Sequence, residues 1–247
     1  MKKALTVGIN NYNIAPLRGC VNDSNNILKL LTEKGYVVTQ LLNEQATKEN
    51  IILNLNEILG SLTDNDKFIF HYSGHGSQIP SNDLTEVDGL TEILCPFDLI
   101  NQDASWNVQN IITDNDLHSI FTRNPKISIE CLLDCCHSGT ATRDIKPNVG
   151  YRYIQSPIEN VNNKTPFNVT NNGGNIICFS AAQDSETAAD ATIDNIPQGA
   201  FTAAFIKSTD GSRQEIIDRI IQFMKQSGFT QNPLLSCSDK EKQEPIF

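Results

Sequence analysis

Residues 127–139, Ile-Ser-Ile-Glu-Cys-Leu-Leu-Asp-Cys-Cys-His-Ser-Gly, decide the fold of this chain. Ile127 to Leu133 has alternating and β-branched character, which suits a strand in a buried sheet. The run stops at a polar, glycine-terminated segment, Asp134 to Gly139. Residues 67–76, Lys-Phe-Ile-Phe-His-Tyr-Ser-Gly-His-Gly, have the same plan: a strand over Lys67 to Tyr72, then a glycine-flanked histidine, His75. In both stretches the residues able to do chemistry stand at the carboxyl end of a strand.

Outward from these two strands the pattern alternates. Ala4 to Ile9 predicts a first buried strand, Asp23-Ser24 the cap of a helix through about Lys34, and Gly35 its stop. Tyr36 to Leu42 reads as the second strand, and Thr47 caps a helix carrying Ile51, Ile52, Leu55, Ile58 and Leu59 at helical spacing. Ser77 to Thr91 is polar and turn-rich and reads as a loop before a short strand, Ile93 to Cys95, that ends at Pro96. Thr113 or Asp114 caps a helix through about Thr122. Beyond the Cys136 segment, Thr140 to Gly174 is rich in Asn and Pro and reads as a linker. Asn175 to Ser180 is a further strand, Gly199 to Lys207 a helix-like segment, and Ser212 with Glu215 a capping box for a helix to about Gln226. A last strand is expected near Leu234-Leu235. The order β-α-β-α-β-β-α-β argues an α/β fold with a mostly parallel, doubly wound sheet, whose ligands belong at the strands' carboxyl ends.

With 29 acidic and 19 basic residues the formal charge is −10, which argues against nucleic-acid binding and favours a basic substrate or partner. The Lys2-Lys3 start resembles a signal peptide only until Asn10-Asn11 interrupts it, and no stretch approaches the length of a membrane span. A cytoplasmic protein with no membrane association is expected. Seven cysteines without a regular framework suggest reduced thiols.

The two motifs specify a chemistry. Strand ends in a doubly wound sheet can lie side by side, so His75 and Cys136 can meet although they are distant in the chain. The imidazole would take the thiol proton, and the thiolate is the attacking species. The backbone N–H groups of Gly76 and Cys136 are candidate oxyanion donors. Asp134 stands two residues before Cys136, so on extended backbone both side chains share a face. A carboxylate there would repel a thiolate unless a substrate cation compensates, which predicts Arg or Lys as the residue before the cut bond, P1. A zinc site drawn from His71, His75, Cys135, Cys136 and His137 fails on spacing. His71 reads as a packed strand-end residue, His118 as a partly exposed helix residue and His137 as a structural hydrogen-bonding group.

At these segments the chain resembles the metacaspases and their bacterial relatives, the orthocaspases. Leu5 to Asn10, Leu17 to Asp23, His71 to Gly76, Asp134 to Gly139, Gly199 to Thr202 and Gln231 to Pro233 carry the resemblance. It implies a caspase-hemoglobinase fold, an α/β/α sandwich in a single domain over 1–247, with a large-subunit region 1–148, a linker 149–172 and a small-subunit region 173–247. It implies a cysteine endopeptidase with His75 and Cys136 as its dyad, and a basic-residue pocket, S1, at Cys20, Asp23, Ser73 and Asp134. Protein or peptide substrates with Arg or Lys at P1 and a monomeric enzyme follow from the same resemblance. No prodomain is expected before the first strand. Arg143, Lys146, Arg152 and Lys164 lie in or beside the linker and are candidate self-cleavage sites. Calcium is a weaker implication: Asp114 matches one family aspartate, but Thr91, Asn115 and Arg143 stand at the others. No required cofactor, and at most weak calcium stimulation through Asp114 and Asn115, is the expectation. The rival readings are an acidic P1 preference set by Arg18 and a catalytically silent scaffold.

Overall fold

The computed structural model describes residues 1–81, 90–137, 150–158, 175–182 and 187–247. Twelve strands are defined among them: β1 (Lys2–Gly8), β2 (Val37–Leu42), β3 (Lys67–Ser73), β4 (Gly76–Pro80), β5 (Leu90–Leu94), β6 (Ile112–Thr113), β7 (Ser128–Asp134), β8 (Gly150–Tyr151), β9 (Ile176–Ser180), β10 (Ala189–Ile193), β11 (Ile196–Gly199) and β12 (Leu234–Ser236). The helices are α1 (Cys20–Glu33), α2 (Lys48–Gly60), α3 (Asp114–Phe121), α4 (Ala200–Ile206), α5 (Arg213–Gln226) and the short α6 (Asp239–Lys242). The main sheet has the order β12-β9-β7-β3-β1-β2 and is parallel except for β12, which runs antiparallel to β9. The predicted mostly parallel sheet flanked by helices is therefore present. Among the described residues no helix is long and apolar enough to cross a membrane.

Alternation along the central strands builds a core on each face of the sheet. Phe68, Phe70 and Tyr72 of β3 and Ile129, Cys131 and Leu133 of β7 join Ile51 and Leu55 of α2 and Leu117, Ile120 and Phe121 of α3 on one side. Ile69, Leu132, Ile177 and Phe179 face the other side, against Ile27 and Leu31 of α1, Phe201 and Phe205 of α4, and Ile216, Ile217 and Ile220 of α5. The same period separates the adjacent cysteines. Cys135 falls in the first core with Leu133, and Cys136 in the second with Leu132.

Capping follows the sequence at most helices. Thr47 accepts from the N–H of Asn50, Thr113 from Asp116 and Ser212 from Glu215, while Gly35 ends α1 with φ of 82°. Three expectations need correction. The helix assigned a cap at Asp23-Ser24 begins at Cys20 instead, one turn earlier. Ser77 to Thr91 is not wholly loop, because β4 pairs antiparallel with β5, which pairs with β6, in a small second sheet. The β10–β11 hairpin, turned at Asp194-Asn195 with positive φ at both, was not anticipated. That turn has the chemistry of a two-residue hairpin loop, and it was the readable signal for the pair.

Candidate active site

The site begins with a displaced helix cap. Gly19 has no side chain to cap α1, and the Asn10 carboxamide oxygen takes that role, accepting from the N–H of Cys20 at 2.9 Å and of Val21 at 3.3 Å. Asp23 is thereby free of capping duty and sits fully buried one turn in. Its carboxylate accepts from the Ser73 hydroxyl at 2.8 Å and from the N–H of Gly199 at 2.9 Å. The β3–β7 register places Ser73 directly beside Asp134, at the carboxyl ends of both strands. Asp134 accepts from the N–H and hydroxyl of Thr202, at 3.0 and 2.7 Å, in the first turn of α4. Asp190 of β10 accepts from the N–H groups of Arg18 and Gly19 at 2.8 and 2.9 Å.

The three carboxylates converge on one guanidinium from the same chain. Arg152 is fully buried, with Nη2 at 2.7 Å from Asp23 and 3.1 Å from Asp190, and Nη1 at 3.0 Å from Asp134. Its Nη1 also donates to the Ser73 hydroxyl at 2.7 Å and to the Asp134 carbonyl at 3.2 Å. Three anions around one cation leave an excess of negative charge out of reach of water. Burial, with the Asp134 charge adding to it, raises Asp23 to about 6 against the pull of Arg152. Such a pocket suits a cation and penalises an anion.

The main chain of Arg152 is equally constrained. Its carbonyl oxygen accepts from the N–H of Gly76 at 3.1 Å and from the N–H of Cys136 at 3.2 Å, and its own N–H donates to the Ala188 carbonyl at 3.1 Å. Gly150 and Tyr151 pair antiparallel with Asp190 and Ala189 on one side, and Tyr153 bridges Gly76 in parallel on the other. A Cβ at Gly76 would strike the Cys136 carbonyl, so this close approach of two backbones requires glycine.

His75 is buried against the Tyr12 ring, with centroids 4.6 Å apart, and its N–H donates to the Tyr12 hydroxyl at 3.0 Å. Its Nε2 lies 2.7 Å from the carbonyl oxygen of Ala15, a residue with φ of 50°. A carbonyl only accepts, so Nε2 carries the proton and Nδ1 remains as the base. Nδ1 is buried and makes no hydrogen bond among the described residues, so the Cys136 thiol is not yet bonded to it. Burial lowers His75 to about 4, although the Ala15 carbonyl raises it. Burial raises the Cys136 thiol to about 12, although the Ala188 backbone and the Arg152 charge lower it. The arrangement holds a neutral imidazole and a neutral thiol around an occupied cleft. Its Arg152 backbone contributes to the shifts of both groups.

A family model for the caspase domain matches residues 1–243. This chain belongs to the caspase domain family. Metacaspase-1 of Kluyveromyces lactis is 30% identical over 96% of this chain and 66% of its own length. Metacaspase-1 of Meyerozyma guilliermondii is 30% identical over 100% of this chain and 72% of its own. The chain thus spans about two thirds of the length of such relatives. A crystal structure of a Geobacter sulfurreducens protein shares the fold with a TM-score of 0.73 at 21% identity, covering 99% of this chain and 98% of that one.

Within this caspase domain, Cys20, Asp23, Ser73 and Asp134 come together around Arg152, and Gly76 and Cys136 around its carbonyl. Of the proposed self-cleavage sites, Arg152 is the one described, while Arg143, Lys146 and Lys164 lie outside the described residues. His71 is buried in β3 with neither ring nitrogen hydrogen-bonded among the described residues, and burial lowers it to about 3. His137 lies with Nδ1 3.4 Å from the Ser77 carbonyl oxygen and Nε2 3.5 Å from Cys135 Sγ, its ring packed against Gly76. Asp114 accepts from the N–H of Asn115 at 2.8 Å, and among the described residues no group of three or more His, Cys, Asp or Glu is placed to hold a metal ion. All seven cysteines are free thiols. Sequence reasoning missed Asp190, Ala15 and Tyr12. For Asp190 the signal was its place in an alternating strand before a hairpin turn. A backbone carbonyl such as that of Ala15 leaves no mark on composition.

Proposed function

We propose that this caspase domain is a cysteine endopeptidase that cuts after arginine or lysine, and that the Arg152–Tyr153 bond of its own linker is one substrate. One observation carries the reading: the Arg152 carbonyl oxygen lies between the N–H groups of Gly76 and Cys136 while its guanidinium lies among three aspartates. That is the attitude a P1 residue needs, with the oxygen already where charge will develop. Cys136 gives its proton to Nδ1 of His75 and its sulfur attacks the Arg152 carbonyl carbon. The resulting oxyanion is held by the two N–H groups. The carbon–nitrogen bond then breaks, His75 returns the proton to the departing amine of Tyr153, and a thioester remains on Cys136. Water, deprotonated by His75, attacks the thioester, releasing the Arg152 carboxylate and restoring the thiol.

Until the linker is cut or withdrawn it fills the cleft that any other substrate needs, so the intact chain is self-blocked. Three carboxylates in the pocket favour a basic over an acidic P1. A monomeric enzyme is part of the same reading. Thr91, Asn115 and Arg143 stand at the positions that accompany Asp114 in calcium-dependent relatives and supply no carboxylate, so activity without calcium, or weak stimulation by it, is expected.

Fluorogenic peptides ending in Arg, Lys or Asp, offered to the wild type and to Cys136→Ala with and without calcium, test this directly. Hydrolysis of the Arg and Lys peptides by wild type alone, in either buffer, is expected. Cleavage of the Asp peptide in preference, or equal inertness of both proteins while a partner protein still binds, refutes it. Full dependence on millimolar calcium overturns the metal assignment alone.

A further inference from the structure

The linker does not leave the cleft after Arg152. Tyr153 bridges Gly76 in parallel, the N–H of Ile154 donates to the Gly76 carbonyl at 3.2 Å, and the Ser77 hydroxyl donates to the Ile154 carbonyl at 2.6 Å. The leaving side of the chain is therefore laid along β4 as an added strand, the way an extended peptide augments a sheet edge. Its side chains part company as the period of two requires. Tyr153 packs partly buried on the core that contains Cys136, whereas Ile154 is only 5% exposed and belongs to the opposite core with Ile93, Leu94 and Cys95. Gln155, next along, is exposed.

We propose that the niche beside β4 that holds Ile154 is a substrate subsite, S2′, taking an aliphatic side chain two residues after the cut. It rests on the peptidase reading, and it adds to it a second anchor on the far side of the bond. Arg152 supplies charge at P1; the P2′ side chain supplies apolar burial that aligns the amine leaving group. Backbone bonds to Gly76 and Ser77 serve any sequence, so the selectivity lies in the buried side chain. An acidic or very small P2′ residue forfeits that burial.

The test uses the full chain after self-processing and quenched peptides of the linker sequence, Gly-Tyr-Arg-Tyr-Xaa-Gln-Ser, with Ile, Val, Ala or Asp at the varied position. Ile and Val peptides should have similar kcat/KM, Ala roughly tenfold lower, which is about 1.4 kcal/mol, and Asp lower again. In the intact chain, Ile154→Asp should slow release of the fragment ending at Arg152 by a comparable factor, and Ile154→Val should process like wild type. An Asp peptide cleaved as fast as the Ile peptide overturns the subsite, even where the Ile154→Asp chain is slow, because burial would then serve only to dock the linker. Failure to cleave any member of the series removes the peptidase reading and the subsite with it, whereas uniform cleavage removes the subsite alone.

Discussion

Replacing Arg152 with alanine in the full chain leaves Asp23, Asp134 and Asp190 buried with no cation. The guanidinium lies 2.7, 3.0 and 3.1 Å from them, all three essentially out of contact with water. Removing one member of a buried, hydrogen-bonded ion pair costs about 3–5 kcal/mol. Here the structure has an alternative to paying it, because residues 150–154 are a docked segment and not part of the main sheet. The segment should leave and water should enter, so the same figure becomes a fall of roughly two to four orders of magnitude in docking of the linker. Two readouts follow. Mass spectrometry of Arg152→Ala should find no fragment ending at residue 152, and an Arg fluorogenic peptide should be hydrolysed without the lag expected of wild type while it cuts itself. A double variant, Arg152→Ala with Cys136→Ala, should be silent. An undiminished lag, or a fragment still beginning at Tyr153, would falsify the assignment of Arg152 as the resident P1 residue.

Other consequences are separate. Self-cleavage in the intact chain reports His75 with the cleft filled; since burial lowers it to about 4, the imidazole limb of the rate should fall near pH 4, below a shallower loss near pH 6 where Asp23 takes up its proton and loosens its hold on Arg152. Asp23→Asn should remove the upper limb alone, and a limb at the ordinary imidazole value that survives in that variant contradicts this. Asp190→Asn removes one of the three charges at the guanidinium without touching the reacting atoms, so KM for Arg peptides should rise about tenfold with kcat changed far less; a loss confined to kcat would point elsewhere. Gly199→Ala puts a methyl against the Asp134 carboxylate and within 2.6 Å of Arg152 Nη1, and should abolish processing while the thermal transition is retained. Normal processing in that variant would mean that the pocket has more room than its walls indicate.

Much of the plan was legible because it rests on periodicity and caps. The central strands, the helices begun by Thr47, Thr113 and Ser212, and the Gly35 stop all depend on neighbours in sequence. The misplacement of α1 has the opposite origin. Asp23 looks like a cap locally, but its carboxylate is claimed by Ser73, Gly199 and Arg152, and a carboxamide ten residues before the helix does the capping. Strand β4 was hidden because Gly76-Ser77-Gln78-Ile79-Pro80 lacks a strand's composition; its partners β5 and the linker, rather than its own residues, hold it extended. Likewise, Arg152 was one basic residue among four in or near the linker, with nothing local to distinguish it.

By itself the amino-acid order determined which residues end strands, which of two adjacent cysteines shares a face with Asp134, and that a thiol and an imidazole each stand at a strand's carboxyl end, where they can meet. These follow from the two-residue period of a strand and the connectivity of a parallel sheet, both properties of short stretches. Only the tertiary structure decided that Asp190 completes the pocket, that Ala15 sets the tautomer of His75, and that Arg152 fills the cleft. Each depends on a contact between segments remote in the chain. Such contacts are selected by charge and burial in three dimensions, and they have no counterpart in local pattern.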